Sequence, residues 1–276
     1  MHKTIINKMG MSEALIKMTD DYIAFVSDVK NKLGIDLASY KEAQMKRRLT
    51  SLRNKNGYSS FRHYLSAINE DKSLKAEFLD RITINVSSFY RNPERWEVLK
   101  TLVLPQLMKN NRKLFIWSAA CSSGEEPYSI AIMLEEHYPD ADFHILATDI
   151  DNHVLEKAES GIYPEASLKL LPAQLRQKYF KQVQKYYHIN DTIKRHVQFK
   201  KHDLLTDNYP GKFDLIICRN VLIYFTDKAK SAVYDKISRS LKSQGILFVG
   251  STEQIFNPEQ YRLTLIDTFF YQKNKD

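Results

Sequence analysis

Two adjacent carboxylates, Glu125 and Glu126, follow a turn of small residues, Cys121, Ser122, Ser123 and Gly124, at the end of an apolar run. A third, Asp149, closes the next apolar run 24 positions after Glu125. A phosphate-binding turn at this place would offer G-x-G-x-x-G, with bare backbone amides for the anion. Here there is one glycine and then negative charge, which repels a pyrophosphate docked at a helix N-terminus. Taken singly, each acid has a plainer reading. Glu125 and Glu126 complement a helix dipole, and Asp149 caps the helix that follows it. The combination is what points to a ligand.

The elements that position these acids are legible from residue 113 onward. Strands are expected at 113–119, 143–148, 196–201, 213–218, 245–250 and 262–272, and helices at 125–137, 151–160 and 227–241. Such alternation predicts a mostly parallel sheet with helices on both faces. The last strand follows its predecessor without room for a crossover helix and is expected to run antiparallel. Ligands of open parallel sheets bind beyond the carboxyl ends of the strands, where the strand order reverses. On such a fold Asp149 stands where an acid meets ribose hydroxyls. A ligand with ribose, without phosphate and with positive charge satisfies both features; S-adenosylmethionine has that chemistry.

Before residue 113 the texture is helical. Residues 1–18 read as a loose tail without a signal sequence. Four amphipathic helices then form a unit over 19–85, starting with TDDYIAFVSDVKNKLG, and a linker and helix occupy 86–112. Residues 113–276 form the α/β domain, with an interruption after the second strand read as a short helix and an inserted β-hairpin at about 181–198. The 276-residue chain is 43% hydrophobic and 27% charged, an ordinary globular composition without a membrane-length apolar run. Two distant cysteines, Cys121 and Cys218, suggest a reducing cytosol, and both read as small buried hydrophobes. The net charge of +8 suits a nucleic acid or an acidic protein partner equally.

The strings ITINVSSFYRN, IWSAACSSGEEPYSIA, ATDIDNHVLEKAESGIY and FDLIICRNVLIYF, in this order, resemble the CheR family of chemoreceptor methyltransferases. The resemblance runs from about residue 20 to the end. It implies a small all-helical N-terminal domain for receptor recognition, joined to a Rossmann-like class I methyltransferase domain with an inserted small β-subdomain. It further implies methyl transfer from S-adenosylmethionine to glutamate side chains on the cytoplasmic helices of methyl-accepting chemoreceptors. The products would be glutamyl methyl esters, made in adaptation, and S-adenosylhomocysteine. The enzyme would be cytoplasmic, monomeric, metal-free and recruited to membrane receptor arrays, neither inserted in the membrane nor bound to nucleic acid.

Carried over by similarity, Asn85, Ser87 and Arg91 close over the cofactor. Glu126, or its neighbour Glu125, faces the methionine end, and Asp149 the ribose. Asp203 and Leu204 flank the adenine, with Asp203 standing where some members have asparagine. Arg219 and Asn220 line the cofactor, and Tyr224 lies near the transferable methyl. The chemistry suits this set. A glutamate carboxylate, of reference pKa ~4.3, is already the nucleophile at neutral pH and needs no general base. The enzyme must desolvate and align it, a task for Arg91 as a charge-assisted partner and Tyr224 as a phenolic donor. Alone, Arg91 would pair with Glu94 and Tyr224 would be a core aromatic. The eight histidines show no metal spacing.

The helix YKEAQMKRRLTSLRNKNG carries an apolar stripe, Met45, Leu49 and Leu52, between basic residues. Residues 37–64 hold seven basic residues and one acid, Glu42. Either this is a solvated face, or Lys46, Arg47, Arg48 and Arg53 meet acidic receptor helices. Family members that tether to a receptor C-terminal pentapeptide have a glycine-rich turn in the inserted subdomain. No glycine lies between Ile162 and Pro210 here, so independence of such a tether is expected. Three other functions fit the sequence less well. Nucleic-acid methyltransferases that act on amino groups often carry an N/D-P-P-Y/F motif where this chain has RNVLIY. A non-catalytic receptor-docking module would show degenerate cofactor positions, and an NAD-dependent oxidoreductase needs the missing glycine fingerprint.

Overall fold

A computed structural model describes residues 21–109 and 113–275. The expected tail, residues 1–18, lies outside them. The chain divides into two compact units: a helical one ending at Ile84 and including Tyr224–Ala229, and an α/β one formed by Asn85–Ile223 with Lys230 onward. Among the described residues no helix is long and apolar enough to cross a membrane.

In the helical unit, α1 (21–33) is followed by a 3-10 turn, Leu37–Ser39, then α2 (Glu42–Lys55), α3 (Phe61–Glu70) and α4 (Lys72–Thr83). The apolar stripes at helical spacing fill one core: Phe25, Val29, Met45, Leu49, Tyr64, Ile68 and Phe78 are buried. Starts and stops follow local chemistry. Ser60 accepts the His63 amide at the start of α3, and Asp71 those of Ser73 and Leu74 at the start of α4. Gly34 and Gly57, at φ +74° and +79°, follow the ends of α1 and α2.

The α/β unit opens with α5 (Pro93–Val98), a π-helical stretch (Leu99–Val103) and α6 (Leu104–Met108). Pro105 has no amide to return to the preceding turn, and the wider π geometry immediately before it accommodates that loss. There follow β1 (Lys113–Ala119), α7 (Glu125–His137), β2 (Asp142–Asp149), α8 (Asn152–Ser160), β3 (Ile162–Pro164), a 3-10 turn (Glu165–Leu168) and α9 (Ala173–Tyr179). The chain continues through β4 (Phe180–Val183), β5 (Tyr186–Ile189), α10 (Asp191–Lys194), β6 (Val197–Lys201), β7 (Phe213–Cys218) and the 3-10 turn Leu222–Tyr224. It ends with α11 (Asp227–Ser240), β8 (Leu241–Val249), the 3-10 turn Pro258–Tyr261, β9 (Leu263–Asp267) and β10 (Phe270–Lys273).

Seven strands form one sheet in the order β6-β2-β1-β7-β8-β10-β9. β6, β2, β1, β7 and β8 are mutually parallel, and β10 is antiparallel to both of its neighbours. The segment expected as one strand over 262–272 is therefore a hairpin, and only its second arm, β10, runs antiparallel to β8. Phe269, at φ +73°, makes the turn, which no glycine or asparagine announces. The insertion between β2 and β6 is a three-stranded sheet, β3-β5-β4, in which the short arm Ile162–Pro164 joins the hairpin. The hairpin turn has Gln184 at φ +54°, a conformation usually left to glycine.

Candidate functional site

The chain leaves β1 for β2 and β6 on one side of the sheet and returns to β7 on the other, so strand order reverses between β1 and β7. The crevice at their carboxyl ends is the expected ligand position. After β1 the backbone turns through three left-handed residues, Ala120, Ser122 and Gly124, at φ +63°, +50° and +91°. Three amides of this turn are committed inside the protein. Cys121 N donates to Thr148 O at 2.9 Å, Ser122 N to Asp149 Oδ2 at 2.9 Å, and Gly124 N to Cys121 O at 3.1 Å. These three amides are therefore not free to cradle a phosphate, a geometric reason added to the electrostatic one. A Cβ on Gly124 would lie 2.8 Å from Ala158 Cβ, so this glycine serves close packing against α8.

The two glutamates at the start of α7 part company. Glu125 is buried, accepting Ser123 Oγ at 2.7 Å and Ser167 Oγ at 3.2 Å. Glu126 instead accepts Ser118 Oγ, from the end of β1, at 2.8 Å, and lies 3.5 Å from Arg219 Nη1, just past β7. Only Glu126 therefore bridges the two strands that flank the crevice. Burial raises its carboxyl pKa, opposed by the Arg219 charge and the Ser118 bond; burial lowers Arg219, opposed in turn by Glu126. Ser118 gave no signal in the sequence, being one small residue in an apolar strand.

Asp149 ends β2 with its side chain almost fully enclosed. Oδ2 holds Ser122 N and Oδ1 holds Asp151 N at 3.1 Å. Burial pushes it up to about 6, against the pull of those amides. The helix cap anticipated for Asp149 belongs to Asp151, whose Oδ1 accepts His153 N at 2.9 Å. Asp151 Oδ2 also accepts Asn85 Nδ2 at 3.2 Å, which ties the linker to the end of β2. Asp151 thus joins the linker to the crevice, a role with no mark in the sequence beyond the helix-capping signal of the string TDID.

The linker is stitched down along its length. Phe89 N donates to Ser167 O, Tyr90 N to Ser129 Oγ at 3.1 Å, and Trp96 Nε1 to Arg91 O at 2.8 Å. Arg91 Nη1 bonds Val86 O at 2.9 Å, and Ser87 is half-buried nearby in sequence. Arg219 Nη2 reaches Arg91 O and Asn92 Oδ1, at 3.1 and 2.9 Å, while its guanidinium lies 4.6 Å from the Phe248 ring. Arg219 Nε is buried without a hydrogen-bond partner among the described residues. Asn220 follows at φ +60°. Glu253, 33 positions later, grips the amides around Asn220, and nothing local in the sequence marked it.

Beyond β6, Asp203 is spent on its own turn. Its Oδ1 accepts Leu205 N at 2.8 Å and its Oδ2 accepts Thr206 Oγ1 at 3.0 Å. Its carboxylate shapes the loop, and Leu204 beside it is buried.

In the helical unit the basic residues separate. Arg47 is exposed; Lys46 lies over the Tyr22 ring at 5.3 Å and Arg48 over the Tyr224 ring at 4.8 Å. Arg53 leaves the expected face: it is 6% exposed, 4.6 Å from the Phe61 ring, and pairs with Asp21 at 3.9 Å. It is a core residue because its aliphatic stem and guanidinium cover Phe61 at the start of α3. Tyr224 and the residues after it pair with residues 39–41: Lys41 N donates to Tyr224 O at 2.8 Å and Thr226 N to Ser39 O at 2.9 Å. Sequence distance hid this pairing.

An acidic, acceptor-rich crevice at a strand-order switch, with three of its turn amides consumed, fits a ligand bearing hydroxyl donors and positive charge. The sheet order, the antiparallel strand beside β8 and this crevice define a Rossmann-like methyltransferase. The chain belongs to the CheR methyltransferase family: its SAM-binding domain matches residues 85–270 and its all-alpha domain residues 20–83. Similar proteins include chemotaxis protein methyltransferases of Listeria monocytogenes, 46% identical over 92% of this chain and 97% of that one, and of Borreliella burgdorferi, 34% identical over 97% and 98%. The Escherichia coli chemotaxis protein methyltransferase is 32% identical, again over 97% and 98%.

Proposed function

We propose that this protein is a protein-glutamate O-methyltransferase that modifies glutamates on the cytoplasmic helices of chemoreceptors during chemotactic adaptation. The observation that carries the reading is the similarity to chemotaxis protein methyltransferases, one of them 46% identical over 92% of this chain. The crevice chemistry supports it. S-adenosylmethionine, when bound, supplies an electrophilic methyl on a sulfonium and leaves as S-adenosylhomocysteine.

Glu126 supplies the negative counter-charge for the amino-acid end of that ligand. Asp149 retains lone pairs for ribose hydroxyls beyond those given to the Ser122 and Asp151 amides. Leu204 packs the adenine on the loop that Asp203 shapes, Asn85 and Ser87 cover the cofactor from the linker, and Asn220 lines it after β7. The incoming carboxylate is ionised at neutral pH, so no proton has to move. Arg91 orients it by a charge-assisted contact that must not neutralise its nucleophilicity, and Tyr224 donates a phenolic hydrogen bond. Arg47, with Lys46 and Arg48, meets the acidic receptor surface. The enzyme works as a cytoplasmic monomer at receptor arrays and does not depend on a pentapeptide tether; the Gln184 turn, without glycine, supports that last point.

The deciding experiment is methyl transfer from labelled S-adenosylmethionine to receptor-containing membranes, followed by mild alkali. Label released as volatile methanol is the expected result. Alkali-stable label would mean N-methylation, and no incorporation with a verified cognate receptor would mean a docking module.

A further inference from the structure

Glu253 lies between β8 and β9, far in sequence from every residue discussed as a ligand contact, yet it is the most heavily solicited carboxylate of the α/β unit described above. It is 4% exposed. Its Oε2 accepts Asn220 N at 2.5 Å and Gly250 N at 2.9 Å. Its Oε1 accepts Val221 N at 2.8 Å, Leu222 N at 2.7 Å and Ile223 N at 3.3 Å. Four of these five donors belong to one turn, 220–223, directly after Arg219. They are the free amides at the start of a 3-10 turn, which a carboxylate satisfies best. The lone pairs of Glu253 are therefore occupied, so it is not a general base. Its other neighbours agree with a fixed part: Tyr234 Oη donates to its backbone carbonyl at 3.4 Å. Gly250 is moulded to it as well. A Cβ there would stand 2.3 Å from Glu253 Oε2 and 2.9 Å from Asn220 N.

We infer that Glu253 is a positioning residue for the methyltransferase site, an internal anion that clamps the 219–223 turn and so holds Arg219 and Asn220 toward the cofactor. Without it, Asn220 would have to keep a left-handed conformation, φ +60°, with its amide unsatisfied at a half-buried position. The turn would relax, and the Arg219 guanidinium, which reaches Glu126, Asn92 and the Arg91 carbonyl, would lose its fixed origin. The inference rests on the proposed cofactor roles of Arg219 and Asn220.

The test is the equilibrium affinity for S-adenosylhomocysteine, measured by calorimetry on the full chain well below the unfolding temperature of each variant. In Glu253→Gln one oxygen becomes an amide donor facing donors. In Gly250→Ala the charge stays and the new Cβ pushes the carboxylate off the turn. Both are expected to raise Kd about 10-fold or more. The comparison is Asp214→Asn, which alters another buried carboxylate, one that holds Phe115 N and Lys242 and touches no part of the turn. It should leave Kd at the wild-type value whatever it does to stability. If Glu253→Gln does not fold, wild-type affinity in Gly250→Ala, whose Cβ would crowd both Glu253 Oε2 and Asn220 N, still overturns the inference. Wild-type affinity in the folded variants overturns the inference, since a merely structural residue moves stability only. Asn220→Ala separates the two layers of the argument. Weakened binding there with unaltered binding in the Glu253 and Gly250 variants sinks the clamp alone, while full affinity in Asn220→Ala overturns the site assignment on which the clamp depends.

Discussion

The Asp149 carboxylate accepts the Ser122 amide at 2.9 Å, fastening the end of the second strand to the turn that follows the first. The same carboxylate is pushed up to about 6 from its ordinary 3.8 by burial. If its ionised form receives the ribose, S-adenosylhomocysteine should bind more tightly as pH rises. The ionised fraction goes from about one-tenth at pH 5 to about nine-tenths at pH 7, so Kd should fall about 10-fold over that span. Asp149→Asn should bind weakly and without that dependence. Stability has the opposite sign. The folded state holds the proton more tightly than the unfolded chain, so the contribution of Asp149 is fully present below pH 3.8 and is lost as pH rises through about 6. Its size is at most about 3 kcal/mol. Calorimetric titration and urea unfolding at pH 5, 6 and 7 would read both slopes, and parallel slopes in the variant would contradict the assignment.

Glu125 and Glu126 are neighbours with different work. Glu126→Gln keeps an acceptor for Ser118 but loses the charge, and should raise Kd for S-adenosylmethionine about 10- to 100-fold, the scale of a charge-assisted hydrogen bond. Glu125→Gln disturbs contacts to Ser123 and Ser167, and should cost about 1–2 kcal/mol of stability with Kd within about threefold of wild type. Isothermal titration and thermal unfolding of the pair would show the exchange of effects, or its absence.

Arg47 and Arg53 separate in the same way. Arg47→Glu, at an exposed position, should leave stability within about 0.5 kcal/mol and raise the apparent KM for receptor, more so at low salt. Arg53→Ala strips a buried guanidinium from Phe61 and Asp21 and should lower stability by about 2–3 kcal/mol. A KM for receptor unaltered by Arg47→Glu at low salt would remove this face from the receptor interface. Arg48 is the poorer probe, because it also supports the Tyr224 ring.

Both thiols are buried, and burial pushes each well above its ordinary pKa. Neither should react with a maleimide at neutral pH in the native protein, and both should react in denaturant. Intact-mass analysis before and after unfolding should read zero and then two adducts. Activity retained in Cys121→Ala and Cys218→Ala would agree with their packing role.

How much of this was legible beforehand depended on whether the relevant physics was local. The strands ending at Ala119, Asp149 and Cys218 are runs of apolar residues, and helix α7 announces itself by period and by the acids after Gly124, so local patterns were enough to specify the sheet-bearing domain, the helical unit and the acid-rich crevice. Helix stops at Gly34 and Gly57 were equally readable. What tertiary structure alone decided was which of two equivalent side chains faces what. Glu125 and Glu126 have the same chemistry and adjacent places; one meets Ser167, the other Ser118 and Arg219, a distinction made by the rotation of one helix against one strand. Arg53 reads as surface charge until Phe61 closes over it, because a long side chain buries its stem wherever an aromatic face is offered. Asp151, Glu253 and the pairing of Tyr224 with residues 39–41 depend on contacts across 66, 33 and 183 positions or so, and no short-range pattern encodes a partner at that distance. The residue types that a cationic, ribose-bearing ligand requires are written in the chain, whereas their aim is set by the buried hydrogen bonds that only the folded backbone brings within reach.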